Sequence, residues 1–383
     1  MRSILRLVVA ATAIATAGLL SAVPPVSAAD VVVQPHQSIQ AAIDAAAPGS
    51  TVRVAPGTYR ESLLIKKSLT VRGSGASAHG TILPLPSTTP PSSLCTGGPP
   101  GAPPPVVGIC VEGKVDLNTF QVLERVKDVT ITGFLVRGFT ESGIMGVATD
   151  GLRVKKVESD NNGGYGVFSL AAKHTLMSEN QASGNSEAGF YLGDSPESDS
   201  RLEENVATDN GFGLFIRDDT RVTATENRVS GNCIGVMALN TTPQGAGEYK
   251  IRDNKARANN KFCEDTAHGV AYSGIGIALI GVHGVLVTDN EVTDNHPAGQ
   301  TSKLFTFPSA GVVVISFAGI APSNNTVRDN EILRNQPFDI FWDKTGSNNV
   351  FKENDCRTSQ PPGLCGNRGD GDHGNGDHGD GPH

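Results

Sequence analysis

Short hydrophobic segments alternate with polar ones along most of the chain, and a two-asparagine phrase repeats between them. The phrase is two asparagines five residues apart, then a short gap, a glycine and an apolar run. It occurs at Asn180/Asn185, Asn205/Asn210, Asn227/Asn232, Asn254/Asn259, Asn290/Asn295 and Asn330/Asn335. Successive phrases lie 25, 22, 27, 36 and 40 residues apart. A fixed phrase at a variable period indicates a solenoid whose turns differ by loop insertions.

The apolar runs predict β-strands. Gly213–Ile216 and Gly311–Ile315 are typical, because they are short, rich in β-branched and aromatic residues, and bounded by turn residues. The second residue after each leading asparagine is apolar and small or β-branched, which gives the period of two of a strand. No segment between the runs can hold a crossover helix. Successive turns must therefore stack directly as a parallel β-helix.

The repeated asparagines fit the corners of such turns. Asparagine tolerates the left-handed conformation that a tight corner needs. Its amide can donate to one turn and accept from the next, as in the side-chain ladders of stacked strands. Many identical, evenly spaced residues favour this structural role over catalysis, which needs a few unlike groups in one place.

Ser38–Ala47 predicts the one good helix, with Ser38 as its N-cap and Pro48-Gly49 as its end. The helix should cover the open end of the first turn. The segment that it begins, SIQAAIDAAAPGSTVRVAPGTYRESLLIKKSLTVRG, resembles the opening of the right-handed parallel β-helix superfamily. That group includes pectate-lyase-like, pectin-modifying enzymes and NosD-like proteins. The resemblance implies an all-β fold, a single right-handed parallel β-helix over residues 30–365 with a short capping helix.

The catalytic signatures of that superfamily are incomplete in this chain. Gly57–Glu61 matches the first signature of pectin methylesterases, but the downstream signatures that supply their aspartates and arginine are missing. The G-H-G and R-I-K motifs of polygalacturonases are missing too. The resemblance therefore implies a fold and does not imply an activity.

Residues 1–29 have the basic start, apolar core and small-residue cleavage site of a signal peptide. They predict a secreted, extracellular protein. The rest of the chain has no apolar stretch of membrane-spanning length. The formal charge of −8 argues against non-specific nucleic-acid binding.

Two segments depart from the repeat. Residues 79–112 are rich in Pro and Gly and predict a surface insertion. Residues 366–383 alternate Gly, Asp, His and Asn, which is typical of a disordered tail. The tail histidines are weak candidates for metal ligands: His373, His378 and His383.

Six cysteines in a secreted chain predict three disulfides. Stacked corners favour the pair Cys233–Cys263, and sequence proximity favours Cys95–Cys110 and Cys356–Cys365. The competing interpretation is a metal site built from Cys263, Glu264, Asp265 and His268.

An acidic residue precedes the first asparagine of the phrase, or its equivalent, in seven turns. The residues are Glu179, Glu204, Glu226, Asp253, Asp289, Asp329 and Glu353. Stacked like charges repel by about 1 kcal/mol per neighbour even in water. Either flanking basic residues or a line of bound Ca²⁺ must offset this repulsion.

A largely apolar row follows the strand glycine, or its equivalent, by two positions. It comprises Phe168, Tyr191, Phe215, Met237, Ala278, Val313 and Phe341. Strand alternation places this row outside the coil. An exposed aromatic row suits sugar rings or a partner protein, so Phe168, Tyr191 and Phe215 are candidate ligand-binding residues. The alternatives are a bulge that turns the row inward and a loop that covers it.

The ends of two adjacent strands carry a charged set: Asp194, Arg217, Asp218 and Asp219. Paired carboxylates beside a cation can do acid–base chemistry on a polysaccharide. Aspartate at a strand end is also a common turn residue. The insertions after Asn259 and Asn295 precede the same strand of their turns, so they should emerge one above the other and wall this face.

The sequence favours a non-catalytic protein that binds a polysaccharide or cell-wall surface on this face. One alternative is a polysaccharide lyase or hydrolase that uses the strand-end carboxylates. A second alternative is a NosD-like metal-handling protein that uses the tail histidines.

Overall fold

Three long parallel sheets, named A, B and C here, form the body of the protein. The computed structural model describes residues 30–87, 93–96, 105–242, 245–299 and 301–366. Within these, sheet A has 12 strands and sheets B and C have 11 each. The chain visits the sheets in the order A, B, C, and the strands of successive turns pair in parallel. The predicted single right-handed parallel β-helix is confirmed.

The strands are short and recur once per turn. Sheet A consists of Asp30–Val33, Thr51–Val54, Leu69–Arg72, Val129–Thr132, Arg153–Lys155, Leu176–Ser178, Arg201–Glu203, Thr223–Thr225, Lys250–Arg252, Leu286–Thr288, Thr326–Arg328 and Val350–Lys352. Sheet B consists of Gly57–Thr58, Thr81–Pro84, Phe134–Arg137, Glu158–Asp160, Gln181–Ser183, Val206–Thr208, Arg228–Ser230, Lys255–Arg257, Glu291–Thr293, Glu331–Leu333 and Asp355–Cys356. Sheet C consists of Leu63–Ile65, Ile109–Glu112, Ile144–Val147, Val167–Leu170, Ala188–Gly193, Phe212–Arg217, Ile234–Leu239, Ile275–Ile280, Ala310–Ile315, Phe338–Trp342 and Ser359–Gln360.

Smaller elements lie at the end and on the surface of the coil. They are the α-helix Ile39–Ala45, the 3-10 helix Leu94–Thr96, the antiparallel hairpin Lys114–Val115/Val122–Glu124, the parallel pair Val126–Lys127/Thr149–Asp150, and the three-stranded sheet Cys263–Asp265/Val270–Tyr272/Phe305–Thr306.

A continuous apolar core fills the coil between the three sheets. In sheet B, Val229, Ala256, Val292 and Ile332 pair in register on successive strands and are all buried in it. These are the residues two positions after a leading asparagine. Each fully buried Val or Ile side chain contributes roughly 1.5–3 kcal/mol, so the stacked rows stabilise the coil along its whole length.

Two asparagine ladders stack at the corners on either side of sheet B. In the first, Oδ1 of Asn227 accepts the backbone N–H and Nδ2–H of Asn205, one turn earlier. Nδ2 of Asn227 donates in turn to Oδ1 of Asn254 at 2.9 Å and to the carbonyl of Leu202 at 2.8 Å. The second ladder comprises Asn162, Asn185, Asn210, Asn232, Asn259, Asn295 and Asn335. The ladders pair buried corner groups that would otherwise lack a partner.

The predicted N-terminal helix forms over Ile39–Ala45, within the predicted range. Ser38 is its N-cap. The carboxylate of Glu61, from the next turn, also accepts the N–H groups of Ile39 at 2.9 Å and Gln40 at 3.0 Å. A carboxylate at a helix N-terminus is stabilising. The segment that resembles a pectin methylesterase signature therefore has a structural role here.

Both ends of the predicted Pro-rich insertion, residues 79–112, belong to the coil. Thr81–Pro84 is a strand of sheet B and Ile109–Glu112 a strand of sheet C. Pro84 is tolerated because it ends its strand and pairs with Arg137 on one side only.

The proposed signal, residues 1–29, lies outside the described residues, as do residues 367–383 with their three histidines. Both assignments stay sequence predictions. Within the described residues, no helix combines the length and apolar character needed to cross a membrane.

Three disulfides join the six cysteines, all within the described residues. The pairs are Cys95–Cys110, Cys233–Cys263 and Cys356–Cys365. They are the pairs that stacking and proximity favour. Cys263 is therefore not available for the metal site that the sequence raised as an alternative.

Candidate functional site

The outward face of sheet C carries two rows of apolar side chains, where one was predicted. The predicted row, from Phe168 to Phe341, stacks in register on adjacent strands and lies outside the coil core. The second row precedes the strand glycine, or its equivalent, by one position. It comprises Tyr165, Ala188, Phe212, Ile234, Ile275, Ala310 and Phe338.

A slip in strand alternation at the glycine produces the second row. A Cβ at Gly189 would point into the core, 3.0 Å from the Ala207 side chain, and the next residue, Phe190, is in the core as well. The same Cβ would lie 3.0 Å from the carbonyl oxygen of Gly213 on the next strand. Two successive inward positions turn the residue before the glycine, Ala188, outward.

Four aromatic side chains of these rows form a contiguous cluster. The Phe168 and Tyr191 rings stack with centroids 4.6 Å apart. Tyr165 lies 5.0 Å from Tyr191, and Phe215 meets Tyr191 edge-on at 5.1 Å. These geometries are favourable ring contacts, so the cluster forms an ordered apolar floor.

Two insertions cover the central part of this face. As predicted, the insertions after Asn259 and Asn295 emerge on adjacent turns, and they pair in parallel through Val270–Tyr272 and Phe305–Thr306. The Cys233–Cys263 disulfide ties this cover to a corner of the coil.

The cover changes the interpretation of the aromatic row. Tyr191 and Phe215 lie outside the coil, as alternation predicts, but they are only 2% and 8% exposed. Phe168 is half-buried. The row is therefore not an open aromatic surface. Tyr191 packs among Tyr165, Phe168 and Phe215, and Phe215 lines the pocket under the covering loops, which the sequence left as an alternative.

A pocket of about 180 Å³ remains between sheet C and the cover. Sheet C supplies Phe212, Phe215 and Met237, and the cover side supplies Tyr272 and Phe307. The polar and charged lining residues include Tyr165, Glu187, Arg217, Asp265 and His268. An apolar cavity with a few convergent polar groups is typical of a small-ligand subsite.

Both signs of charge meet at the pocket. Desolvation raises the pKa of Glu187, and the nearby carboxylate of Asp265 raises it further. Nδ1 of His268 lies 2.6 Å from Oδ2 of Asp265, and the backbone N–H of His268 donates to Oδ1 at 3.0 Å. Burial also raises the pKa of the Tyr165 and Tyr272 hydroxyls, so both stay protonated and can donate hydrogen bonds.

Three of the predicted strand-end residues meet at the edge of sheet C. Nη2 of Arg217 lies 2.8 Å from Oδ2 of Asp194, and its Nε lies 3.6 Å from Oδ2 of Asp218. The guanidinium carbon sits 5.9 Å from the centroid of Tyr191, within cation–π range. Arg217 also lines the pocket, so this charged group adjoins the aromatic floor.

Asp218 and Asp219 serve mainly as corner residues. Oδ1 of Asp218 accepts the N–H of Thr241 at 2.6 Å, and Asp218 is 8% exposed. Asp219 has no exposed surface, and its Oδ1 accepts the N–H of Ser195 at 2.8 Å. Burial raises the pKa of Asp219 to about 8. Of the four charged candidates, Asp194 and Arg217 therefore reach solvent most.

Two overlapping segments, residues 108–256 and 142–325, match the family described as the right handed beta helix region. Together they span more than half of the 383 residues. This chain belongs to the right-handed β-helix family. No curated protein sequence matches it.

Several solved structures resemble this β-helix. The A-module of mannuronan C-5 epimerase AlgE6 from Azotobacter vinelandii is 18% identical, with a TM-score of 0.55 over 87% of this chain and 91% of that chain. An alginate lyase from Paenibacillus sp. is 14% identical, with a TM-score of 0.50 over 84% of this chain and 100% of that chain. A family 28 exopolygalacturonase from Yersinia enterocolitica is 16% identical, with a TM-score of 0.51 over 87% and 72%. At these identities the likeness concerns the fold alone.

The acidic line of this β-helix lies at the corner between sheets A and B. Its residues adopt the left-handed conformation, with φ of 57° at both Glu179 and Asp253, whereas the sequence assigned that conformation to the asparagines that follow them. Lys156 lies 3.4 Å from Glu179, and Arg252 lies 2.6 Å from Asp253, so basic side chains offset part of the repulsion.

The described residues bring three potential metal ligands together at one place. These are Cys95, Cys110 and Glu112, and the two cysteines form a disulfide. The carboxylates of the acidic line do not converge in this way, and neither do Asp194, Asp218 and Asp219.

Sequence reasoning missed part of the pocket. Tyr165 and Phe212 carried a signal, because each immediately precedes a strand glycine. Asp265 and His268 were raised only as ligands of the alternative metal site, and Glu187 carried no signal, because the approach of these segments to the pocket depends on tertiary pairing.

Proposed function

We propose that this protein binds a polysaccharide on the outward face of sheet C, with the pocket beside Arg217 as a sugar subsite. The observation that supports this proposal is the mixture of aromatic and polar side chains that line the pocket. Its aromatic side chains offer an apolar face, while Tyr165, Glu187 and Arg217 can hydrogen-bond hydroxyl groups.

The dimensions suit one ring of a longer chain. The pocket of about 180 Å³ is smaller than the roughly 300–1,000 Å³ of a drug-sized site. A second cleft of about 470 Å³ adjoins it and shares four of its residues: Glu187, Phe212, Asp265 and Tyr272. The two spaces together give room for neighbouring sugars.

The solved structures reported above support a carbohydrate ligand. They are a mannuronan epimerase, an alginate lyase and an exopolygalacturonase.

Calorimetric titration with uronate and neutral oligosaccharides tests the proposal. We expect the wild type to bind at least one glycan and Tyr165→Ala to bind it at least tenfold more weakly, since one stacked ring is typically worth about 0.5–1.5 kcal/mol beyond its buried area. Tyr165→Phe keeps the ring and should retain most of the affinity. Phe338→Ala is the matched control, because Phe338 belongs to the same row and does not line the pocket. Equal losses in Tyr165→Ala and Phe338→Ala, or no glycan bound by the wild type, would reject the subsite.

A second candidate function is polysaccharide cleavage at the same pocket. It is favoured by Glu187, whose pKa is raised, close to Asp265 and the Tyr165 hydroxyl. A carboxyl with a raised pKa in a cleft suits general acid–base chemistry.

Product analysis separates the two candidates. The glycans that bind are incubated with the protein, and new reducing ends and unsaturated products are measured. Turnover that Glu187→Gln abolishes without loss of binding supports the enzyme. Binding with no product from the wild type supports the binding protein.

A further inference from the structure

A basic cleft of about 430 Å³ lies near the N-terminal end of the coil, where sheet C leads into sheet A. Five basic side chains line it: Lys66, Lys67, Lys114, Arg125 and Lys127. Two acidic side chains, Glu112 and Glu124, line it as well. The cleft therefore carries a local charge of +3 (five minus two), although the whole chain has a formal charge of −8.

Both carboxylates of the cleft are already paired. Nζ of Lys66 lies 2.7 Å from the buried carboxylate of Glu112. Lys114 forms an ion pair with Glu124. Within each pair the lysine neutralises the carboxylate, so neither Glu112 nor Glu124 is available to the remaining basic side chains of the cleft.

None of the other three cations forms a close ion pair within the described residues, although Asp150 and Glu197 lie near enough to Arg125 to attract its guanidinium. Lys67 donates to the backbone carbonyl of Asp44 at 2.9 Å. The guanidinium of Arg125 donates to backbone carbonyls only. Lys127 pairs through its backbone with Asp150, and its side chain forms no hydrogen bond or ion pair within the described part of the chain. Such a set attracts anions, because a cleft with walls of low dielectric constant focuses its field.

The hairpin that lines this cleft ends in an apolar tip. Lys114–Val115 pairs with Val122–Glu124, and a short turn connects the two strands. On this hairpin, Leu117, Phe120 and Leu123 are 68%, 78% and 66% exposed. They are half of the six large hydrophobic side chains that are exposed in the described residues. Such a cluster marks an interaction site.

We propose that the hairpin and the basic cleft dock this protein on an anionic lipid surface. The apolar tip enters the interfacial region, and Lys67 and Lys127 bind lipid phosphates. Basic clusters bind anionic lipids in this way. A soluble polyanion would satisfy the cleft but would leave the tip in water, so the lipid surface accounts for both features.

The positions of the exposed side chains on the hairpin suit this arrangement. Leu117 and Phe120 lie in the turn after the strand Lys114–Val115, and Leu123 lies on the returning strand Val122–Glu124. Amphipathic elements bury their apolar side chains about 5–10 Å deep at the headgroup boundary. The turn also satisfies its own backbone, because the carboxylate of Asp116 accepts the N–H groups of Asn118 and Thr119 at 2.8 and 3.1 Å.

Vesicle flotation with the full chain tests the proposal. Vesicles of phosphatidylglycerol and phosphatidylcholine are compared with vesicles of phosphatidylcholine alone. We expect binding to the anionic vesicles that weakens as salt is added. Serine at Leu117, Phe120 and Leu123 should lower the partition coefficient at least about tenfold, since each side chain loses its apolar contact. Lys67→Gln and Lys127→Gln should each lower it about fivefold.

Matched control variants remove exposed apolar and basic side chains from another part of the surface. Val32→Ser with Val350→Ser removes two exposed apolar side chains, and Lys250→Gln with Lys352→Gln removes two exposed cations from sheet A. Neither pair should change binding. All substituted side chains of the hairpin tip are exposed, so the thermal unfolding midpoint should not change either.

A Phe120→Trp variant reports insertion directly. With anionic vesicles its emission should shift to shorter wavelength, and quenchers attached to lipid chains should reduce it. Three results would overturn the proposal: equal binding to neutral vesicles, no emission shift at Phe120→Trp, or binding confined to inorganic phosphate or soluble acidic glycans.

Discussion

Replacing Asp219 by asparagine should remove a pH dependence from the stability of this β-helix. Asp219 is buried at the corner between sheets C and A. Its Oδ1 accepts the N–H of Ser195, and its Oδ2 has no hydrogen-bond partner among the described residues. Burial raises its pKa from 3.8 to about 8, and the neighbouring Ser198 and Ser195 offset this only in part. At neutral pH the folded protein therefore keeps this carboxyl largely protonated, whereas the unfolded chain ionises it.

The sign and size of the effect follow from linkage. The pKa is higher in the folded state, so this contribution to stability is fully present below about pH 4 and is lost as pH rises through about 8. Each pH unit in that range costs about 1.36 kcal/mol, which makes the total loss on the order of 5 kcal/mol. Asparagine does not ionise and keeps an oxygen for the Ser195 bond. The Asp219→Asn variant should therefore lack this loss.

Urea unfolding followed by far-UV circular dichroism between pH 4.5 and 8 measures the effect. The variant should be more stable than the wild type at pH 8 by several kcal/mol, and the difference should shrink toward pH 4.5. Glu158, whose pKa burial and the neighbouring Asp160 raise to about 7, is present in both proteins and cancels in the difference. Asp199→Asn is the control, because Asp199 is exposed and its pKa is lowered by Arg221. Parallel stability curves for the wild type and Asp219→Asn would refute the reasoning.

Three further predictions concern the coil and its cover. Asn227→Ala should lower the unfolding free energy by at least about 2 kcal/mol, because it removes four buried side-chain hydrogen bonds; a urea midpoint no lower than that of an exposed Asn→Ala control would contradict this. Tyr191→Ala and Phe215→Ala should each cost about 3–5 kcal/mol in the same assay, and losses below about 1 kcal/mol would mean that the two rings are not buried. Replacing Cys233 and Cys263 by serine should speed protease cleavage within residues 260–273 while the far-UV spectrum is kept, and unchanged cleavage would show that the disulfide does not hold the cover.

The fold was predictable because its determinants are local and repeated. The five-residue spacing of pairs such as Asn227 and Asn232 sets one strand of sheet B between two corners, and the repeat sets the register of the neighbouring turns. Cys233 and Cys263 each lie just past such a corner on adjacent turns, which is why stacking favoured their disulfide.

The burial of the aromatic row was not predictable from the same signals. Alternation correctly placed Tyr191 and Phe215 outside the coil. Tyr191 packs among the rings of Tyr165, Phe168 and Phe215. Phe215 also lines the pocket under the cover, in which Val270–Tyr272 pairs with Phe305–Thr306 from the next insertion. Neither segment belongs to the asparagine phrase, so the repeat carries no information about how the two insertions meet.

The pocket arises where the regular and irregular parts of the chain meet. The repeat supplies two outward rows. Each strand glycine and the residue after it face the core, so the residue before the glycine, such as Phe212, faces outward. The insertions supply Asp265 and His268, and they cover part of the two outward rows. A coil without insertions would leave both rows exposed as a large apolar surface, which favours association of copies. The same insertions therefore protect the face and leave a ring-sized pocket beside Arg217 with an adjoining cleft, which is why function should be sought at the edge of the cover.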